Sequence, residues 1–297
     1  MSSPLDDPSR YFAALAQHRR DKTDVPPHIA VANHKGGIGK SFLTQALAVA
    51  AAETGHYVLV VDMDAQGNIT RRLRAQLPSA PEQRAAASLA AVLPNPGRGD
   101  AARILTPCGY GGIHTERIMV APADLDLELL ALTAGQPAAE RRLLRALTGV
   151  VMPFDLVLID CPPSLLSHQI DLAWTASDYV LMPCEAEYDA VQSARRIQER
   201  IERDSHKLNE DLKIVGIIAN RFRNLTVHKE RAEEMEKISG PGGVCPVKIP
   251  ESAALKFMSE NARPIAENGS QGRDMAALFR DVYTWTRTRI SELEKAS

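Results

Sequence analysis

The sequence predicts an α/β protein built on a doubly wound, mostly parallel sheet flanked by helices. Short apolar runs recur at His28 to Asn33, Tyr57 to Asp62, Ile118 to Pro122, Asp155 to Asp160, Tyr179 to Pro183 and Lys213 to Asn220. Several are continuous rather than alternating, the pattern of strands covered on both faces. Helical stretches separate them, as crossover-connected parallel strands require. Asp62, Asp160 and Asn220 each close a run, which puts them at carboxyl ends, where such sheets bind ligands.

The elements follow in chain order. Residues 1–27 form an N-terminal extension, either a short helix from Ser9 to Arg20 with Tyr11, Phe12, Leu15 and His18 on one face, or a disordered tail. Residues 28–297 are expected to form one domain, because landmarks near residues 40 and 160 must share one sheet. An alanine-rich helix runs from Ser41 to Glu53 and closes at Gly55, where glycine suits a left-handed cap. Arg71 to Glu116 reads as loops and loose helix. Leu125 to Leu132 and Glu140 to Leu147 read as helical pieces, the second with Leu143, Leu144 and Leu147 facing the core. A short helix ends over Asp171 to Ala176, and another helix spans Glu185 to Arg203. Val244 to Pro250 is expected as the last strand, at an edge because of Pro246. Arg273 to Glu294 reads as the terminal helix.

Composition sets limits on function. The 297 residues carry 35 basic and 37 acidic side chains, net −2, with 44% apolar and 5% aromatic residues, an ordinary globular balance. No global field draws the chain to nucleic acid, so any such contact must be a local patch. Cys108, Cys161, Cys184 and Cys245 are too far apart for a C-x-x-C pair and read as reduced thiols of a cytosolic protein. The polar N-terminus, MSSPLDDPSR, does not resemble a secretory leader, and no apolar run approaches the roughly 18 residues of a membrane span. A cytoplasmic protein is expected.

The chemistry concentrates between the first strand and the first long helix. There Lys35-Gly36-Gly37-Ile38-Gly39-Lys40-Ser41 lets backbone N–H groups curl around an anion at a helix N-terminus. In such a phosphate cradle Lys40 reaches the β- and γ-phosphates and the Ser41 hydroxyl ligates Mg²⁺. The common pattern G-x-x-x-x-G-K-[ST] asks for glycine where this chain has His34. The variant K-G-G-x-G-K-[ST], with Lys35 as a second lysine, is matched in full.

This variant loop is followed by Asp62-Met63-Asp64-Ala65-Gln66-Gly67-Asn68 and by DLVLIDCPPSL from Asp155 to Leu165. In these three motifs, each at a strand end and in this order, the chain resembles the ParA/MinD family of deviant Walker A P-loop ATPases, with the ParA-type partition ATPases nearest. The similarity runs from about residue 28 to about residue 285. It implies ATP and Mg²⁺ as cofactors. It further implies nucleotide contacts from Lys35, Gly36, Gly37, Ile38, Gly39, Lys40, Ser41 and Phe42, with Asn220 and Pro250 at the base. Ser41, Asp62 and Asp160 would serve the metal shell. Lys35, acting on a partner's phosphates, Lys40, and Asp64, orienting water, would be catalytic. Phe42 is a departure, since the family has a second hydroxyl residue there.

The resemblance also implies a slow, partner-stimulated ATPase that forms an ATP-sandwich homodimer, binds DNA without sequence preference at the nucleoid, and meets a ParB-like centromere-binding or cargo adaptor protein. Candidate DNA-binding residues are Arg195, Arg196, Arg221, Arg223, Lys229, Lys248, Lys256 and Arg263. A MinD-like membrane-positioning ATPase is the alternative. The last helix argues against it, because Leu278, Val282, Trp285, Ile290 and Leu293 form a core stripe and the tail carries Glu292 and Glu294 beside only Lys295. An iron–sulfur carrier on the same fold would need closely spaced cysteines. No membrane partner is expected.

Overall fold

The computed structural model describes residues 8–296 except positions 35, 38, 224–225, 253–254, 256–257 and 259–260. Its strands are β1 (His28–Val31), β2 (Val58–Asp62), β3 (Thr106–Pro107), β4 (Ile118–Ala121), β5 (Leu156–Asp160), β6 (Tyr179–Glu185) and β7 (Lys213–Asn220). They pair in the order β3-β4-β2-β5-β1-β6-β7, parallel throughout except for β3. The helices are α1 (Pro8–His18), α2 (Lys40–Glu53), α3 (Asn68–Arg72), α4 (Pro81–Ala86), α5 (Leu89–Val92), α6 (Gly112–Arg117), α7 (Arg142–Leu147), α8 (His168–Thr175), α9 (Tyr188–Leu208), α10 (Thr226–Ser239) and α11 (Gly269–Lys295).

Both sheet faces are covered, which explains why the strands read as unbroken apolar runs. Successive side chains point to opposite faces. Ile29, Val31, Val58, Val60 and Leu158 therefore meet α2 and α11, while Ala30, Leu59, Val61, Val157 and Ile159 enter the second core with Trp174, Phe154 and Ile197. Helix α2 is buried along nearly its whole length, and Ala46, Ala48 and Ala50 to Ala52 keep it slim enough to lie between sheet and α11. It ends before Gly55, whose φ of +100° lies in the left-handed region.

Helix α1 docks on the second core. Leu15 is buried, Phe12 stacks on Phe154 at 6.3 Å, and Arg19 grips Asp155 with two bonds of 2.6 and 2.7 Å while lying over Tyr57. His18, expected on the same face, is exposed.

Five expectations need correction. Leu144 is 38% exposed while Leu143 and Leu147 are buried, because α7 has only six residues and presents a narrow inner face. Glu185 ends β6, and α9 begins at Tyr188 rather than at Glu185. The stretch from Leu125 to Thr133 is a 3-10 helix, and Thr106–Pro107, expected as loop, forms an antiparallel edge strand on β4. Val244 to Pro250 is no regular strand. It touches β7 through two isolated bridges, Ile217 with Val244 and Phe222 with Pro250, and Pro246, which has no N–H to donate, lies between them.

That segment approaches β7 very closely. A Cβ on Gly216 would sit 2.1 Å from the Gly243 carbonyl oxygen and 2.7 Å from Trp285 Cη2 of α11. Gly216→Ala should cost about 1–3 kcal/mol through overpacking. The expected reading is a lower urea midpoint at unchanged m-value. A midpoint equal to the parent's would show that the segment yields freely.

Candidate active site

The end of β1, the glycine loop and the start of α2 form the floor of the site. Gly37 and Gly39 take φ of +78° and +93°, open to glycine without strain. At Gly39 a Cβ would lie 2.6 Å from Asn220 Nδ2, so the end of β7 presses against the loop. Lys35 and Ile38 lie outside the described residues. Lys40 is 7% exposed, and burial lowers its pKa against the raising field of Asp160.

Register brings the two acidic motifs together. Asp62 on β2 stands opposite Asp160 on β5, and Asp160 is also opposite Val31 at the end of β1. Both carboxylates are fully buried. Asp160 accepts from Thr44 Oγ1 at 3.0 Å and from the Ser41 hydroxyl, while its Oδ2 is buried without a partner. Burial pushes its pKa up, opposed by those two hydroxyls and by Lys40. Asp62 is likewise pushed up, first by burial and then by Asp160. Its oxygens are already engaged: Oδ2 accepts from Thr70 N at 2.9 Å and Thr70 Oγ1 at 2.6 Å, and Oδ1 from Asp64 N at 3.2 Å.

Asp62 thus organises the following turn. Within it Asp64 accepts from Gln66 N at 3.0 Å, Gly67 adopts φ +62°, and the Asp64 side chain is 8% exposed and close enough to Lys40 and Asp160 to influence both. Thr44 and Thr70 are polar partners that sequence reasoning missed. Thr44 follows Ser41 by three positions on one helix face, a spacing that could have signalled it.

Mg²⁺ fits this donor set. It takes oxygen ligands, uses one or two carboxylates, and completes its shell with substrate phosphates and water rather than an all-protein cage. The orphaned Asp160 Oδ2 beside the Ser41 hydroxyl supplies such a corner, and among the described residues no cluster of three or more His, Cys, Asp or Glu side chains forms a separate metal cage.

The remaining expected residues divide. Pro250 is brought alongside the end of β7 by the bond from Phe222 N to Ile249 O at 2.9 Å, near Asn220. The Phe42 side chain turns away, 7% exposed, edge-on to Phe279 of α11 at 5.4 Å. A nucleotide contact at Phe42 would therefore fall to its backbone rather than its ring. The basic candidates are mostly compensated. Arg221 pairs with Glu185 at 2.8 Å, Arg223 with Glu251, Arg263 with Glu267 at 3.5 Å, and Lys248 lies over the Phe222 ring at 4.2 Å. Arg195 and Arg196 are exposed on α9. Lys256 lies outside the described residues, and the Lys229 side chain is not described.

Comparison with known proteins gives concordant likenesses. A family model described as AAA domain matches residues 27–214. The chromosome partitioning protein ParA of Caulobacter vibrioides is 32% identical over 71% of this chain and 73% of its own length. The sporulation initiation inhibitor protein Soj of Bacillus subtilis is 31% identical over 80% of this chain and 89% of its own. Among solved structures, an ATP complex of a Cyanothece McdA variant superposes with a TM-score of 0.74 at 19% identity, covering 91% of this chain and 98% of that one. The septum site-determining protein MinD of Pyrococcus horikoshii, with Mg-ADP, gives 0.64 at 19%, covering 87% and 94%.

The buried carboxylate pair makes a prediction about the ligand-free chain. A carboxyl whose folded pKa is raised contributes stability below its unfolded pKa and loses it as pH rises through the folded value. Without Mg²⁺, stability should fall from the ordinary carboxylate range toward neutral and alkaline pH. Asp160→Asn should flatten that fall and stabilise the ligand-free protein at pH 8 by on the order of 2 kcal/mol. Thermal unfolding in chelator across pH checks this, and parallel curves for parent and variant would refute it.

Proposed function

The chain belongs to the ParA/MinD family of P-loop ATPases, among relatives named for chromosome partitioning, and from that premise we propose that it is a partition-type ATPase whose nucleotide state controls dimerisation and DNA binding. One observation supports this reading above others: the glycine loop, Lys40, Ser41 and the orphaned Asp160 oxygen converge at the carboxyl ends of β1 and β5.

The roles follow from charge. Phosphoryl transfer needs neutralisation and a positioned water more than covalent help. The loop N–H groups and the N-terminus of α2 hold the phosphates, and Lys40, desolvated by burial, concentrates its charge on the β- and γ-oxygens. Ser41 and Asp160 would hold an Mg²⁺, which would supply charge neutralisation to the bound phosphates. Asp62 acts one step back, fixing the turn that aims Asp64 at the attacking water. Asn220 and Pro250 lie where the base would rest. Lys35 would extend to the phosphates of a second copy, which makes the sandwich dimer nucleotide-dependent, with hydrolysis stimulated by a ParB-like or cargo-adaptor partner. The protein would act in the cytoplasm on the nucleoid. Among the described residues no helix is long and apolar enough to cross a membrane, and α11 packs Val282 and Ile290 into the core, leaving little of it to lie on a lipid surface.

Lys40→Ala should weaken ATP binding by several kcal/mol, read by titration calorimetry; parent-like binding would sink the site. Asp64→Ala should bind ATP and accumulate as dimer in light scattering, whereas Lys35→Ala should bind ATP and remain monomeric. Anisotropy on random duplex DNA should show binding with ATP and little with ADP, falling steeply with salt. ATP-dependent liposome binding in its place would favour the MinD-like alternative.

A further inference from the structure

Away from the nucleotide site, a cavity of about 640 Å³ opens between α7 and the segment that precedes β3. Pro94, Pro96, Arg98, Arg141, Arg142 and Arg145 line it, and no carboxylate does. We propose that this arginine-lined cavity seats backbone phosphates of DNA; the inference rests on the partition-ATPase reading above.

Four guanidinium groups around one cavity carry like charge and repel each other. Arg142 is the exception in being 7% exposed, and its guanidinium is committed to Thr133 Oγ1 at 2.7 Å and to Gln136 Oε1. Arg98, Arg141 and Arg145 are exposed and, among the described residues, make no ion pair. The acids close in sequence, Asp100 and Glu140, do not line the cavity, and Asp100 accepts from Gly97 N at 2.7 Å.

This arrangement is the reverse of the one around β7. There Arg221, Arg223 and Arg263 each have a carboxylate partner and must give it up before meeting a phosphate. At the cavity no pair has to be broken, so counterion release favours binding there. The neutral side chains of Asn95 and Thr148 add phosphate donors of the kind that position a duplex without reading its sequence. The available charge also selects the ligand. The deepest guanidinium is occupied and the three free ones stand on the rim, which suits an extended backbone crossing the opening better than a small anion enclosed within it. None of the phosphate-loop residues lines the cavity, so DNA and ATP do not compete for space.

The test uses the full chain with saturating ATP and Mg²⁺. Arg98→Ser, Arg141→Ser and Arg145→Ser are combined in one variant, with Arg221→Ser and Arg223→Ser combined in another. Anisotropy on a random duplex over a salt series should show the first variant losing at least about tenfold in affinity and, at 0.9 per phosphate contact, a log–log slope shallower by about 2.7. Its ATP affinity and thermal midpoint should match the parent's, and the second variant should bind DNA almost as the parent does. Parent-like DNA binding by the first variant, or loss confined to the second, overturns the placement and leaves the ATPase reading standing. Failure of the parent to bind DNA removes both. Pyrophosphate binding to the ATP-saturated parent that the first variant loses, with DNA affinity unchanged, would assign the cavity to a small anion and overturn the proposal.

Discussion

Two fully buried carboxylates held side by side at the ends of β2 and β5 set the terms for the rest of the site. The parallel ladder fixes Asp62 opposite Asp160, and ladder bonds on either side keep the strands from parting to relieve the repulsion. Relief comes from groups that converge there: Thr70 on Asp62, Ser41 and Thr44 on Asp160, and the Lys40 ammonium nearby. Even so, Asp160 Oδ2 has no partner. A buried oxygen of that kind is costly unless something charged completes it, and a hard cation carrying phosphate oxygens would do so. The site stores this unfavourable energy in the ligand-free chain, a familiar exchange of stability for function.

The phosphate loop is stiffened from two directions. Beneath it, α2 is clamped between sheet and α11 by small side chains, so its N-terminus has little freedom to tilt. Beside it, Asn220 at the end of β7 fills the space over Gly39 that any Cβ would need. Phe42 adds a third tie by packing on Phe279. A residue standing where the family has a second hydroxyl serves here as a hydrophobic pin between the loop and the C-terminal helix.

Net charge says almost nothing about this surface, whereas pairing says a great deal. A chain at −2 can still present free guanidinium groups if its acids are spent elsewhere. Around β7 the arginines and glutamates neutralise one another at the surface, which contributes little stability and leaves little field. Around α7, Arg141 and Arg145 make no ion pair among the described residues, and no carboxylate lines the cavity beside them.

The sequence by itself determined the strand runs, the helix that follows the glycine loop, the acids at the strand ends and the buried stripe of the last helix. Each of these is written in contiguous residues, through periodicity or through the steric freedom of glycine, and each survives folding because the covered sheet demands it. Tertiary structure alone decided the rest. Asp62 meets Asp160 only because β2 and β5, almost a hundred residues apart, are neighbours in register. Thr44 and Thr70 gain their roles from that meeting. Pro246 interrupts the expected last strand because β7 is offered a partner that cannot donate a ladder bond, and Leu144 faces outward because α7 is too short to bury three leucines. Which arginines keep free charge likewise depends on carboxylates brought close in space: Glu185 and Glu251 reach Arg221 and Arg223 across 36 and 28 positions, a distance over which local sequence pattern carries no information.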